Sequence, residues 1–374
     1  MRQLTGQIAV LTLVALSAAC QAPPSDTARP QAGEVPTARW TITRGADLPV
    51  AMANNAVAAA IVNGQPRLFS FLGLGADKDY RAISTGAFAL DPDAGTWERL
   101  PEVPGDVGRI AATAQAIGSR VYVFGGYEVA ADGTEITSPA TDIYLAEEQR
   151  YLRGADAPVQ LDDAVSGVWR NRLIYLVSGW STDRTVTTVQ AYDPAADRWL
   201  AATPIPGTPV FGHAGGLIDD TLVYCGGAKM LGAVTPKYGL SDECYRGDID
   251  PADPAAIAWR AIAPHPGAAR YRAAAGPVRT AAATGILFVG GTANPYNYNG
   301  IGYDGRPAGP DAASWIYDTA RDAWIAGPTL EAPTMDHRGL VTAAGAWWTI
   351  GGFGAGQSVT ARVTRIATDS TAKD

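Results

Sequence analysis

A strand-length apolar run closing on glycine recurs six times along the chain, at residues 68–73 (LFSFLG), 121–126 (VYVFGG), 174–179 (IYLVSG), 222–227 (LVYCGG), 286–291 (ILFVGG) and 347–352 (WWTIGG). From the second copy onward the closing glycines lie 53, 48, 64 and 61 residues apart, a period near fifty with loops of variable length. A further apolar stretch follows at 87–92, 142–145, 189–194, 243–246 and 315–318, and after it an aromatic residue: Trp97, Tyr151, Trp199, Trp259 or Trp324. The pattern predicts repeated units of short antiparallel strands. Glycine lets backbones approach near a common axis, and the large rings fill the widening gap between sheets at the rim.

The sixth copy carries a strand over 358–366 and then only a polar tail, 367–374, so its aromatic-bearing last strand is missing from the C-terminus. Residues 39–43 (RWTIT), followed by Leu48 and Pro49, have the character of 97–101 (WERLP) and precede the first copy. The N-terminal strand is therefore expected to pair into the last unit and close the ring, leaving no exposed sheet edge. Together these features resemble kelch-repeat six-bladed β-propellers over residues 37–366, and the resemblance implies an all-β fold.

The chain has 374 residues with 42 Gly, 26 Pro, 10 Trp and 15 Tyr, a composition that suits many strands and turns. A net charge of −8 sets the protein against polyanions, so nucleic acid is excluded as a partner. Before the repeats, Arg2 is followed by an apolar run over 8–19, too short to span a bilayer, which reads as a signal peptide over 1–19. The run ends in Leu16, Ser17, Ala18, Ala19 and Cys20, which resembles a bacterial lipobox with Cys20 as the lipidated residue. Residues 20–36 then read as the lipidated cysteine and a Pro- and Ala-rich linker. With Gln21 next, the resemblance implies a lipid-anchored protein of the cell envelope, at the outer membrane and facing the periplasm. Cys225 and Cys244 fall on neighbouring strands of one unit, where they either pair or remain buried thiols.

In an up-and-down blade the first strand begins on the face where the second strand ends, so residues at those two places converge around the axis. The strand starts carry Asn55, Arg109, Asp162, Asp163, His213, Arg272, His337 and Arg338, and the loops after the second strands carry Trp180, Lys229, Lys237, Tyr296 and Tyr298. Asp163, His213 and His337 are the candidate acid–base groups. Asn55, Arg109, Lys229, Arg272, Tyr296, Tyr298 and Arg338 are the candidate binding groups, with the cations placed to hold an acidic saccharide. The loop over 292–313, rich in Tyr and Asn, is long enough to act as a lid.

Length and blade order are most similar to the bacterial N-acetylneuraminate mutarotase family. That family has Gly-Glu-Ala-Lys after the second strand of blade four, its Glu serving as acid–base group. Here the stretch is Gly226, Gly227, Ala228 and Lys229, and glycine cannot move a proton. The resemblance implies a propeller that binds or isomerises a small saccharide in its axial funnel without a cofactor. A non-catalytic scaffold with a protein or saccharide partner is the alternative. Copper radical oxidases, which place two His and two Tyr on a propeller axis, are a remote third: they also cross-link a Tyr to a Cys, and both cysteines of the repeat region fall in or beside core strands.

Overall fold

The computed structural model describes residues 38–369, so the signal peptide, Cys20, the whole linker and residues 370–374 of the tail lie outside the described residues. Six four-stranded antiparallel sheets are arranged as blades. Blade one runs Ala56–Val62, Gln65–Phe71, Ala87–Asp91 and Thr96–Arg99 from inner to outer edge. Blade six consists of Val341–Ala343, Ala346–Ile350 and Val363–Thr368, and its outer strand is the N-terminal Trp40–Arg44, paired in register from Trp40 against Thr368 to Arg44 against Thr364. Ring closure by the N-terminal strand is as the sequence implies. Its third strand starts at Val363, later than 358, because residues 355–361 are spent on a turn and on bonds to residues 45–52.

Each repeated feature has a job at a blade junction. In every blade the backbone N–H of the closing glycine donates to a carbonyl of the following blade, as in Gly126 to Leu161 at 3.1 Å and Gly227 to Arg270 at 2.8 Å. The glycine before it has no room for a side chain: a Cβ on Gly125 would stand 2.0 Å from the Leu161 carbonyl oxygen, and its φ is +59°. At the rim, the indole N–H groups of Trp97, Trp199, Trp259 and Trp324 donate to Ala46, Ala155, Thr203 and Ala263 carbonyls in the connections from the preceding blade. Tyr151 makes the same bond to Pro101 through its hydroxyl. The aromatics therefore clasp neighbouring blades as well as fill space. Asp91, Asp193 and Asp318 each accept two backbone N–H bonds in the turn to the outer strand, which accounts for the recurring aspartate.

Two blades carry extra two-stranded hairpins on the face where first strands begin: Tyr127–Val129 with Glu135–Thr137 in blade two, and Ala228–Met230 with Tyr238–Leu240 in blade four. The latter springs from Cys225 and Cys244, which face each other across the second and third strands and are joined by a disulfide. The open alternatives for these cysteines resolve in favour of pairing.

Trp40 packs on Trp347, with ring centroids 5.6 Å apart. Trp40→Ala should therefore lower stability by about 2–3 kcal/mol, while removal of residues 37–49 should expose an edge and promote association. Thermal denaturation and size-exclusion chromatography read both effects. A truncated chain as stable and monomeric as the parent would show that the ring closes another way.

Candidate functional site

Six residues that open the inner strands, Asn54, Ala111, Asp163, Gly212, Arg272 and Asp336, all adopt left-handed backbone, with φ between +51° and +72°. They form a ring about the axis. The amide of Ala111 donates to Asn54, Asp163 to Ala111, Gly212 to Asp163, Arg272 to Gly212 and Asp336 to Arg272, over 2.7–3.3 Å. Side chains bridge blades six and one, where Asn54 Nδ2 donates to Asp336 Oδ2 at 2.7 Å.

Side chains from this ring also close the axis. Arg272 pairs with Asp163 at 2.7 Å and with Asp336 at 3.2 Å. Arg338 pairs with Asp163 at 2.8 Å and also donates to Asn54. All four charged side chains are at most 3% exposed, so each charge needs its partners. Burial alone would raise the Asp163 carboxyl, but the two guanidiniums outweigh it and hold the group below its ordinary range. Arg272 and Arg338 are thus engaged by Asp163 and Asp336, and the mouth does not present the free cations that the sequence suggests.

Above the network, Tyr271, Tyr296, Phe353 and Met335 form an apolar cap. Tyr296 is fully buried, with its ring 5.1 Å from the Arg272 guanidinium. The 292–313 loop therefore packs its tyrosines onto the axis, Tyr296 as cap, Tyr298 half-buried at the margin and Tyr303 leaning on Tyr238 at 4.4 Å. Beside the cap lies a narrow crevice of about 30 Å³ walled by Tyr127, Trp180, Phe211, Tyr238 and Tyr303, with Glu135, Asp162 and the paired Asp163 and Arg272 completing its lining. Asp162 accepts a bond from Thr137 Oγ1 at 3.0 Å. Burial first, then the neighbouring Asp163 and Glu135 charges, push its carboxyl well above the ordinary range. Desolvation likewise raises Glu135, although Arg272 and Lys237 oppose the shift. Lys237 stands over Tyr238 at 5.2 Å and Trp180 at 6.0 Å.

Below the network, an axial chamber of about 200 Å³ is lined by inner-strand backbone together with Gln115, Ser166, Asp163, His213, His337 and Arg338. The structure thus brings four predicted residues to one chamber, but both histidines are committed elsewhere. His213 Nε2 contacts the Val177 carbonyl of blade three at 2.9 Å, and His337 Nε2 contacts Thr334 Oγ1 at 2.7 Å. Burial lowers their pKa values to about 4 and about 3, so both are neutral at pH 7. Among the described residues, neither belongs to a group of three or more His, Cys, Asp or Glu placed to hold a metal ion.

The remaining candidates line neither cavity. Asn55 donates to Ser70 at 2.8 Å, Arg109 is buried against Asp142 and Ser138, and Lys229 is half-buried on the blade-four hairpin. Sequence reasoning missed Glu135, Tyr127, Phe211 and Tyr238. Nothing in the repeat singled out Glu135: the interval between the second and third strands of blade two is shorter than those of blades four and five.

No protein-family model matches the chain. It is 27% identical to Kelch-like protein 25 of Xenopus tropicalis over 148 residues, 40% of this chain and 23% of that protein. It is 31% identical to Kelch-like protein 15 of Gallus gallus over 107 residues, 29% of this chain and 22% of that protein. The chain therefore spans less than a quarter of the length of these relatives. A solved structure titled "Structure of YjhT" superposes with a TM-score of 0.67 at 18% identity, covering 88% of this chain and 97% of that one. Sequence and structure together define the class: a six-bladed kelch β-propeller.

The neutral histidines give a pH dependence of known sign. Their folded pKa values lie below the unfolded value of about 6.5, so as pH falls from there toward 4 the unfolded chain takes up protons that the native state refuses. Each histidine then removes up to about 1.4 kcal/mol of stability per pH unit. Asp162, raised, acts with the opposite sign, so the measurement is a difference between variants. Urea denaturation of His213→Gln and His337→Gln between pH 6.5 and 4.5 should each show a shallower loss than the parent. Equal slopes would mean that the histidines titrate normally in the fold.

Proposed function

We propose that this propeller binds the end of a neutral saccharide at the crevice beside the axial cap. The observation that carries the reading is two carboxyls, Glu135 and Asp162, set among aromatic walls. Sugars are held by stacking of their faces on rings and by convergent polar groups. A cavity of about 30 Å³ admits one hydroxyl-bearing arm, which leaves the sugar ring to stack at the mouth on the half-buried Trp180 and Tyr303. The arginines and aspartates of the axis, Arg272 and Asp163 of the crevice lining among them, balance one another; Asp162 keeps its proton, and exposed Lys237 at the mouth offsets Glu135. This charge pattern favours a neutral sugar over an acidic one.

The same groups supply proton chemistry. Asp162 keeps its proton to a pH well above the ordinary carboxyl range and donates to a ring or anomeric oxygen, while Glu135 accepts from the hydroxyl. Asp163, His213 and His337 support this geometry rather than react. Isothermal calorimetry over neutral and acidic sugars, with NMR of a freshly dissolved single anomer, tests both levels. Trp180→Ala should weaken binding up to about tenfold, and Asp162→Asn should slow anomer interconversion while leaving affinity within a few-fold. No binding and no acceleration over buffer across the panel would sink the reading.

A second reading, a protein-docking propeller, draws on the kelch-like relatives and on exposed Ile136, Leu231, Val234 and Ile301 in the loops and hairpins beside the crevice.

We also propose that Cys20 anchors the domain to the outer membrane. Trp40 and Thr368, the outermost pair of the closing strands, lie at the end of blade six away from the crevice. Cys20→Ala should move the protein from the membrane fraction to the soluble fraction or leave an unprocessed precursor. Unchanged processing and fractionation would remove the anchor.

A further inference from the structure

The hairpin that carries Tyr238 into the crevice wall and Lys237 to its mouth is held at its base by the Cys225–Cys244 disulfide. Its other ties to the body of the protein are non-covalent: Ala228 and Phe211 exchange backbone bonds at 2.8 and 3.0 Å, and Tyr238 packs against Trp180, Phe211 and Tyr303. Its tip is exposed at Leu231 and Val234. Both cysteines are at most 4% exposed, which shields them from any reagent approaching over the open surface.

One route to the sulfur exists. A cavity of about 140 Å³ between blades four and five is lined by Cys225 together with Ala214, Ala269, Ala273, His265 and Phe288. Cys244 is not part of that lining. The walls are small or flat, so the space accepts a molecule of a few heavy atoms and refuses a folded protein. The asymmetry also sets the direction of any exchange, because of the two cysteines only Cys225 borders the space.

We propose that this cavity is an entry port for low-molecular-weight thiols and that the disulfide is a reducible clasp on the crevice hairpin. A first thiolate entering the cavity attacks Sγ of Cys225. The Cys225–Cys244 bond breaks, and its electron pair leaves on Sγ of Cys244, which takes up a proton. A second thiolate attacks the incoming sulfur of the mixed disulfide and releases the Cys225 thiolate, which takes up the second proton. Two small thiols are oxidised to their disulfide, and one protein disulfide is reduced to two thiols. Reduction leaves the strand ladder of blade four and the Ala228–Phe211 pair in place but removes the covalent tie at the hairpin's base, so the hairpin opens more often and carries Tyr238 and Lys237 with it. The consequence for a ligand rests on the saccharide reading; the chemistry and the hairpin release do not.

The test exposes the native protein to 2-mercaptoethanol, traps free thiols with iodoacetamide and counts them by mass spectrometry. Two alkylated cysteines should appear at a rate proportional to thiol concentration and faster than global unfolding. Ala269→Leu, which narrows the cavity, should slow that rate at least tenfold. Should that variant fold poorly, a thioredoxin-type protein reductant on the parent chain provides the same contrast and should react at least tenfold more slowly per thiolate. Hydrogen exchange over 228–241 should rise at least tenfold on reduction, and Cys225→Ser/Cys244→Ser should match the reduced protein. A thiol-independent rate that follows unfolding, or equal rates for small and large reductants, would overturn the port; unchanged hairpin exchange would overturn the clasp. Saccharide titration of oxidised and reduced protein is read separately: absence of binding in both forms counts against the crevice reading and leaves the exchange result standing.

Discussion

The backbone bond from each closing glycine to a carbonyl of the next blade is the constraint on which the rest of this structure depends. It is made six times around the ring, and in four blades it brings neighbouring backbones so close that a Cβ on the preceding glycine would collide with a carbonyl of the next blade. The relics of the glycine pair show the same demand by other means. Leu72 and Ser178 stand where the first glycine is expected, and both adopt positive φ, at 60° and 53°. Ser178 offsets part of that cost by donating its hydroxyl to the Val186 and Val210 carbonyls, so the junction survives without glycine.

Once these junctions are set, the inner strands must start in left-handed conformation, and their side chains are thrown together at the axis. Charges that are distant in sequence then meet in a space with almost no solvent. Arg272 and Arg338 enter it only because Asp163 and Asp336 enter as well; removal of one partner would leave a buried charge uncompensated. The network is a structural plug, and it separates a small aromatic crevice above from a larger polar chamber below. That separation also divides the chemistry. Carboxyls with raised proton affinity lie in the crevice and the neutral histidines border the chamber, while the ionised Asp163 stands between and lines both.

Much of the site was legible as position. Strand starts and post-strand loops were the right places to search, and Asp162, Trp180 and Lys237 stood among the residues those places carry. Their partnerships were not legible. A cation at a strand start reads as a ligand anchor until the aspartate that neutralises it, here 109 residues away for Arg272 and Asp163, is seen beside it. Glu135 lies in a hairpin that only blades two and four carry, outside the strands that recur in every blade, so periodicity could not point to it.

By itself the sequence determined the six-fold repeat, the blade order, the rim aromatics and the closure by residues 40–44, because each follows from a local pattern that must recur if identical units are to pack around one axis. Only the tertiary structure decided which polar groups face a cavity and which satisfy one another. Ring closure places residues from different blades within hydrogen-bonding distance, and in a buried, low-dielectric space charge pairing outweighs the exposure that a single strand's pattern suggests. The repeat is written along the chain, whereas the site is written across it, between blades that share no stretch of sequence.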